Sequence, residues 1–213
     1  MLPSADLIKQ AILLGNIVSI SDSVNKLLEQ GHTAQTILDE QLLPGMAIVG
    51  ERFKRNELFL PQVLMSAQAM QTAIDLLKPH LLKDSDGPKQ KRIIIGTVKG
   101  DMHDIGKNLV RIMLIGAGFE VIDLGVNVPA QRFLETAAQH QASVVCLSAL
   151  LSSTMNNMKE VVDSFRATPD LMQPKILIGG APVSREFSDL IGADGYAPTA
   201  PAAVEHVQML CQS

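Results

Sequence analysis

The segment Gly100-Asp101-Met102-His103-Asp104-Ile105-Gly106 sets one imidazole between two carboxylates, with glycine at either end. A carboxylate two residues before a histidine can curl back and accept the Nδ1–H. That bond fixes the tautomer and turns Nε2 outward as a metal ligand. Zinc would want three or four protein ligands, and none of His32, His80, His140 or His206 is close in sequence. One histidine offered alone suits a metal whose other positions are filled by a macrocycle. Haem and corrin both qualify, and this loop by itself does not choose between them. Asp104 has a second reading, as the N-cap of a helix carrying Ile105, Leu109, Ile112 and Met113 inward.

Further along, Ser148-Ala149-Leu150 runs into Leu151-Ser152-Ser153-Thr154, a hydroxyl-rich stretch that could equally cap a following helix. Gly179-Gly180 is either a turn or a place where a bulky group lies against backbone. Gly192-Ala193-Asp194-Gly195-Tyr196 and Ala200 again supply small residues. Taken together these loops describe a narrow, small-walled channel that begins at His103.

The elements that would position these loops follow from periodicity. From Arg92 onward, short apolar runs bounded by glycine alternate with helical stretches. Ile93–Val98 precedes a helix to Gly116, Val121–Leu124 precedes Pro129–His140, and Val144–Ser148 precedes Met155–Arg166. Lys175–Ile178 precedes a helix from Ser184, and a weak strand near Tyr196 precedes a terminal helix. Such βα units predict a five-stranded parallel sheet covered on both faces, Rossmann-like in the flavodoxin-like sense. Ligands of these sheets bind at the carboxyl ends of the strands, which is where the loops above fall.

The first 82 residues carry only the helical period. Leu7, Ile8, Ala11 and Ile12 repeat at helical spacing, as do Val24, Leu27 and Leu28 before Gly31, a C′ terminator. Thr33 caps a third helix with Ile37 and Leu38. Pro61 opens a long one whose inner face is Leu64, Ala67, Met70, Ala73 and Leu77, closed by Pro79. The prediction is a four-helix bundle over 1–82, a polar Gly-Pro linker over 83–91, and an α/β domain over 92–213.

Composition narrows the function classes. With 46% hydrophobic residues the chain can bury a core, and with 3% aromatics and no Trp that core must be aliphatic and Met-rich. A net charge of −4 without a basic run, together with so few aromatics, argues against nucleic acid. Cys146 and Cys211 make neither a disulfide framework nor a CxxC metal site and are expected to be reduced. The N-terminus MLPSADLIKQ has no signal-peptide pattern, and no apolar run could span a bilayer. A soluble cytoplasmic protein is expected.

The fragments Asp101-Met102-His103-Asp104-Ile105-Gly106, Ser148-Ala149-Leu150 and Gly179-Gly180, in that order and each after a predicted strand, resemble the D-x-H-x-x-G…S-x-L…G-G signature of B12-binding domains. The resemblance implies cobalamin or another corrinoid held base-off, with His103 as the lower axial cobalt ligand and the nucleotide tail inserted at the sheet edge. It implies a relay of His103, Asp101 and Thr154, the last standing where serine is usual. Ser148 and Ser152 would hydrogen-bond the tail, and Gly106, Gly179, Gly180 and Ala200 would make room for it. Gly100, Met102, Asp104, Ile105 and Leu150 would complete the cofactor-binding set.

The stretch ILDEQLLPGMAIVGERFKRNELFLPQVLMSAQAM is similar to the cap of methionine synthase's cobalamin module and of corrinoid proteins of anaerobic methyl transfer. By motif position Phe53, Leu60 and Val63 would shield the upper corrin face, unless they are plain bundle core. The implied role is a methyl carrier cycling between methyl-cobalt(III), as in methylcobalamin, and cobalt(I). Its implied partners are a donor-specific methyltransferase, an acceptor methyltransferase and a reductive activator protein. The chain has no thiolate zinc cluster and no (β/α)₈ barrel to activate a donor, so a shuttle subunit is expected rather than a stand-alone enzyme. A cobalamin-dependent sensor would append a DNA-binding or signalling module, for which these 213 residues leave no room. An adenosylcobalamin isomerase subunit would share the B12 domain but not a methyl-shielding cap. Methanol, methylamines, betaines and aryl methyl ethers are all admissible donors.

Overall fold

The computed structural model describes residues 4–81, 91–168 and 173–212. The chain forms two compact units, one mainly helical and formed by Met1–Lys89 with Ile115–Gly118, the other α/β and formed by Gln90–Leu114 and Phe119–Ser213. The expected linker, 83–91, lies outside the described residues apart from Lys91.

In the helical unit α1 (Ser4–Leu13) is followed by α2 (Ile17–Glu29), which starts where the Asn16 side chain accepts the Ser19 N–H at 3.0 Å. Helix α2 stops at Gly31, as its sequence predicts. Gly31, at φ +86°, donates to Leu28 C=O and His32 donates to Leu27 C=O, which together satisfy two end carbonyls. Thr33 caps α3 (Ala34–Ile37) through the Thr36 N–H.

The chain then does something the periodicity does not announce. A π-helical turn, Leu38–Leu42, leads without a break into α4 (Leu43–Lys54), with the Leu43 N–H reaching back to Leu38 C=O. Pro44 follows in the first turn of α4. Proline has no N–H to offer the preceding turn, and a wider turn just before it absorbs the missing bond.

Helix α5 (Leu60–Leu81) departs from expectation in two ways. Its buried stripe is Val63, Ala67, Met70, Ala73 and Leu77, whereas Leu64 is 42% exposed. Residues 63 and 64 both stand at helical spacing from Ala67, so sequence alone did not separate them. Pro79 lies inside the helix instead of closing it.

The α/β unit runs β1 (Arg92–Thr97), α6 (Ile105–Gly116), β2 (Glu120–Asp123), α7 (Ala130–His140), β3 (Val144–Ser148), α8 (Asn156–Arg166), β4 (Lys175–Gly179), α9 (Arg185–Ile191), β5 (Gly195–Ala197) and α10 (Ala200–Leu210). The strands are all parallel in the order β2-β1-β3-β4-β5, the flavodoxin-like winding the sequence predicts. Alternate residues serve opposite faces. Ile94, Val145, Leu147, Ile176 and Ile178 pack with Phe133 of α7, Phe165 of α8 and Ile191 of α9. Ile93, Ile95, Val144, Cys146 and Leu177 pack with Leu114 of α6 and Val207 of α10. Both faces being covered, the inner strands read as unbroken apolar runs. The winding reverses between β1 and β3, so the loops after those two strands open at the switch point.

Candidate functional site

The loop after β1 delivers His103. Gly100 turns the chain at φ +81°, and Asp101 follows with its side chain fully buried. One carboxylate oxygen of Asp101 accepts from the His103 backbone N–H at 3.1 Å and meets His103 Nδ1 at 2.7 Å. The other accepts the Leu150 N–H at 2.7 Å, the Leu151 N–H at 3.2 Å and the Thr154 hydroxyl at 2.8 Å. That hydroxyl also lies 2.8 Å from Leu151 C=O, so one proton is shared between two acceptors. The carboxylate thus ties the loop after β1 to the loop after β3.

These bonds decide a protonation state. Burial by itself raises the pKa of Asp101, but the Leu150 amide, the His103 amide and ring, and the Thr154 hydroxyl outweigh it and hold the carboxyl well below its usual range. An ionised carboxylate accepts and cannot donate. Nδ1 must therefore carry a proton, and in the neutral ring the lone pair then lies on Nε2. Thr97, at the end of β1, donates its hydroxyl to the His103 carbonyl at 2.8 Å and holds the backbone of the same residue.

Beside His103 opens a cavity of about 490 Å³. Its floor is the row Ile95, Cys146 and Leu177, register partners on one face of β1, β3 and β4. Its sides are the first turns of α6 and α10, with Gly106 and Val110 opposite Ala200 and Ala203. Ser148, Gly179 and Gly180 close it at the strand ends. Around its mouth Met102, Ile105 and Leu150 are well exposed, an apolar rim beside a half-exposed imidazole. Cys146 is a neutral thiol here, since burial pushes it up to about 12.

The glycines differ in kind. A Cβ on Gly106 would meet nothing within 4 Å, whereas one on Gly180 would lie 1.8 Å from the Ala149 carbonyl oxygen, at a φ of +138°. Gly106 therefore keeps space open, and Gly180 lets two backbone segments cross. At Gly179 the neighbour is Ala197 C=O, 3.0 Å from such a Cβ.

Met102, His103, Asp104, Ile105, Gly106, Ser148, Leu150, Gly179, Gly180 and Ala200 all line this one cavity. Gly100, Asp101 and Thr154 stand behind the histidine instead, as its support. Ser152 is exposed and is not among the lining residues. Asp104 gives its carbonyl to the first bond of α6, while its carboxylate accepts from the Asn108 side chain. In the helical unit Phe53 and Leu60 are half-buried and Val63 has no exposed surface.

Sequence reasoning missed Lys107, whose side chain is buried on the cavity wall with its ammonium on both oxygens of Asp123, at 2.7 and 2.6 Å, and on Asn108 at 2.8 Å. It also missed Asn127, which sits at φ +54°. An asparagine between a strand and a proline-started helix was a usable signal there, because asparagine tolerates the left-handed region. No residue spacing announces the pairing of Lys107 with Asp123.

A family model described as B12 binding domain matches residues 91–205, and a second with the same description matches 5–78. Among curated relatives, the chain is 38% identical to a corrinoid protein of Desulfitobacterium hafniense over 94% of each. It is 41% identical to a dimethylamine corrinoid protein of Methanosarcina barkeri over 82% of each. Among solved structures, a methanol:cobalamin methyltransferase complex from Methanosarcina barkeri contains a chain that superposes with a TM-score of 0.89 at 28% identity, covering 99% of this chain and 80% of that one.

Proposed function

The chain belongs to the B12-binding corrinoid proteins that work with methyltransferases, and from that premise we propose that it is a methyl carrier which holds its corrinoid base-off with His103 on cobalt. The observation that carries the reading is the 2.7 Å contact between His103 Nδ1 and a buried, ionised Asp101 at the mouth of the cavity. A neutral imidazole oriented in this way is a donor to one metal position. Among the described residues no group of three or more His, Cys, Asp or Glu could hold a metal ion by itself. A macrocycle that fills the other positions fits this donor set.

The residues present fit such a group on a second count. The open Cβ direction at Gly106 and the small side chains of Ala200 and Ala203 leave a trough of the kind a nucleotide tail needs, with the Ser148 residue on its wall. The apolar rim of Met102, Ile105 and Leu150 suits a flat, largely apolar ring. When bound, the corrinoid supplies the cobalt centre on which a methyl group is carried, and that chemistry is the cofactor's own.

The chain's share is binding, orientation and one proton. Asp101 holds the proton on Nδ1, so that Nε2 would be the atom offered to the cobalt of a bound corrinoid. Thr154 and the Leu150 and Leu151 amides keep Asp101 ionised and so keep it an acceptor for the His103 ring. The partners we assign are a donor-specific methyltransferase, an acceptor methyltransferase and a reductive activator, with the carrier not catalytic alone and acting in the cytoplasm. Similarity to a dimethylamine corrinoid protein and to a chain of a methanol:cobalamin methyltransferase complex supports a methylamine or methanol as donor. No helix among the described residues is long and apolar enough to cross a membrane.

The test is reconstitution with cobalamin, using ¹⁵N-labelled protein. In the cobalt(II) state a protein imidazole splits the electron paramagnetic resonance lines as a ¹⁵N doublet, whereas the cofactor's own base gives a ¹⁴N triplet. The parent chain is expected to give the doublet. His103→Ala is expected to lose it and to bind roughly 10- to 100-fold more weakly. A doublet that survives in His103→Ala sinks the assignment.

The cap motif also assigns shielding of the methyl group to Phe53 and Leu60. Phe53→Ala and Leu60→Ala are expected to keep cobalamin bound and to speed photolysis of the methyl–cobalt bond. Photolysis at the parent rate in both would make them ordinary bundle residues.

A further inference from the structure

We infer that Asn127 and Asn157 are positioning residues for His103, acting by clamping the peptide plane that precedes Gly100. This rests on the reading of His103 as the cobalt ligand. The plane in question joins Lys99 to Gly100. Its carbonyl accepts from Asn157 Nδ2 of α8 at 2.6 Å, and its N–H donates to Asn127 Oδ1, in the loop after β2, at 2.7 Å. One peptide unit is therefore gripped at both edges by side chains from two other segments. Asn127 also donates its own N–H to the Asp101 carbonyl at 3.0 Å, so it holds the peptide before Gly100 and the peptide after Asp101.

The reason for a clamp lies in Gly100. Its φ of +81° is a conformation glycine can easily leave, because it has no Cβ to restrict it. If this plane rotated, Asp101 would swing away from Leu150, Leu151 and Thr154, and the imidazole would lose its Nδ1 partner. A glycine hinge followed directly by a buried carboxylate needs support from outside the loop. Asn127 is suited to give it. Its left-handed backbone, at φ +54°, aims the side chain back at Gly100, and Val128 beside it is fixed by its N–H to Thr97 C=O at 3.0 Å. Support of this outer kind is typically worth 10–100-fold in metal affinity.

Asn127→Gly removes the acceptor while keeping the backbone conformation unstrained, and Asn127→Asp restores an acceptor in the same place. Asn157→Ala removes the second grip at a helix position that alanine suits. In the apoprotein the His103 Nδ1–H, held by Asp101, is expected as a slowly exchanging downfield proton resonance. In the ¹⁵N-labelled protein loaded with cobalamin the cobalt(II) doublet reports the ligated imidazole. Asn127→Gly and Asn157→Ala are each expected to lose the slow resonance, to weaken the doublet and to bind cobalamin about tenfold more weakly. Asn127→Asp is expected to regain all three. If both Asn127→Gly and Asn157→Ala keep resonance and doublet while His103→Ala has lost the doublet, the clamp is wrong and the ligand reading stands. If the doublet survives in His103→Ala, the ligand reading fails, and the clamp fails with it.

Discussion

Gly106→Val is expected to fold and melt like the parent chain and to bind cobalamin roughly 10- to 100-fold more weakly. Position 106 stands in the first turn of α6, where valine is no worse a helix residue than glycine. A Cβ there touches nothing within 4 Å, so the side chain enters open space in the folded apoprotein. The added carbons enter space beside the cavity wall, and a ligand that needs that space must shift or leave. Overpacking a filled site costs about 1–3 kcal/mol, which sets the fold-change above. The measurement is a cobalamin titration beside a thermal melt. Parental affinity in Gly106→Val would mean that the corrinoid does not use this trough.

Gly180→Ala separates room for a ligand from room for the chain. Its Cβ would stand 1.8 Å from the Ala149 carbonyl oxygen, and φ +138° is strained for any side chain. The backbone conformation alone costs about 1–3 kcal/mol, before the loop after β3 is pushed aside. This variant is expected to melt early with or without cofactor, the opposite pattern to Gly106→Val. In the sequence the two glycines looked alike, as small residues along a channel. Only the crossing of β4's end with Ala149 distinguishes them.

That contrast marks where sequence stops informing. The strands were legible because each inner one is a short apolar run bounded by glycine or polar residues, and Ile93–Val98 and Val144–Ser148 fit no amphipathic helix. The cap at Thr33 and the terminator at Gly31 were legible because their chemistry is local, within a turn of the residue itself. His103 with Asp101 was legible for the same reason, being two residues apart. What failed to show is set by long-range placement. Lys107 meets Asp123, and Asn127 and Asn157 meet the Lys99–Gly100 peptide, across separate elements. Ser152 carries a hydroxyl on the same loop, but it is exposed and outside the cavity lining, while Thr154 is the hydroxyl that meets Asp101. The stripe on α5 was misplaced by one residue because Val63 and Leu64 satisfy the same periodicity.

Asp101→Asn is expected to reverse the tautomer of His103 and, with it, the ability of the ring to ligate. An amide has one oxygen and one NH₂ where the carboxylate has two acceptors. Leu150 N–H at 2.7 Å, Leu151 N–H and the Thr154 hydroxyl all point at one side, so the amide oxygen is drawn there. The NH₂ then faces His103, and Nδ1 must accept instead of donate. The proton moves to Nε2, which occupies the lone pair that cobalt would use. The His103 backbone N–H is left facing another donor, and an unsatisfied buried group of this kind costs about 1–3 kcal/mol. The cobalt(II) doublet from protein nitrogen should vanish, although the cavity and the trough are intact and cobalamin still binds weakly. The pH dependence carries its own sign. The carboxyl of Asp101 is held below its usual range in the folded chain, so its stabilisation is fully present above the unfolded value of ~4 and is lost as pH falls through the depressed folded value. The stability gap between parent and Asp101→Asn should therefore shrink as the solution is acidified below about pH 4. Denaturant unfolding of both apoproteins across that range measures it. A gap that fails to shrink below about pH 4, or a protein-nitrogen doublet that persists in Asp101→Asn, would show that Asp101 does not set the protonation state of His103.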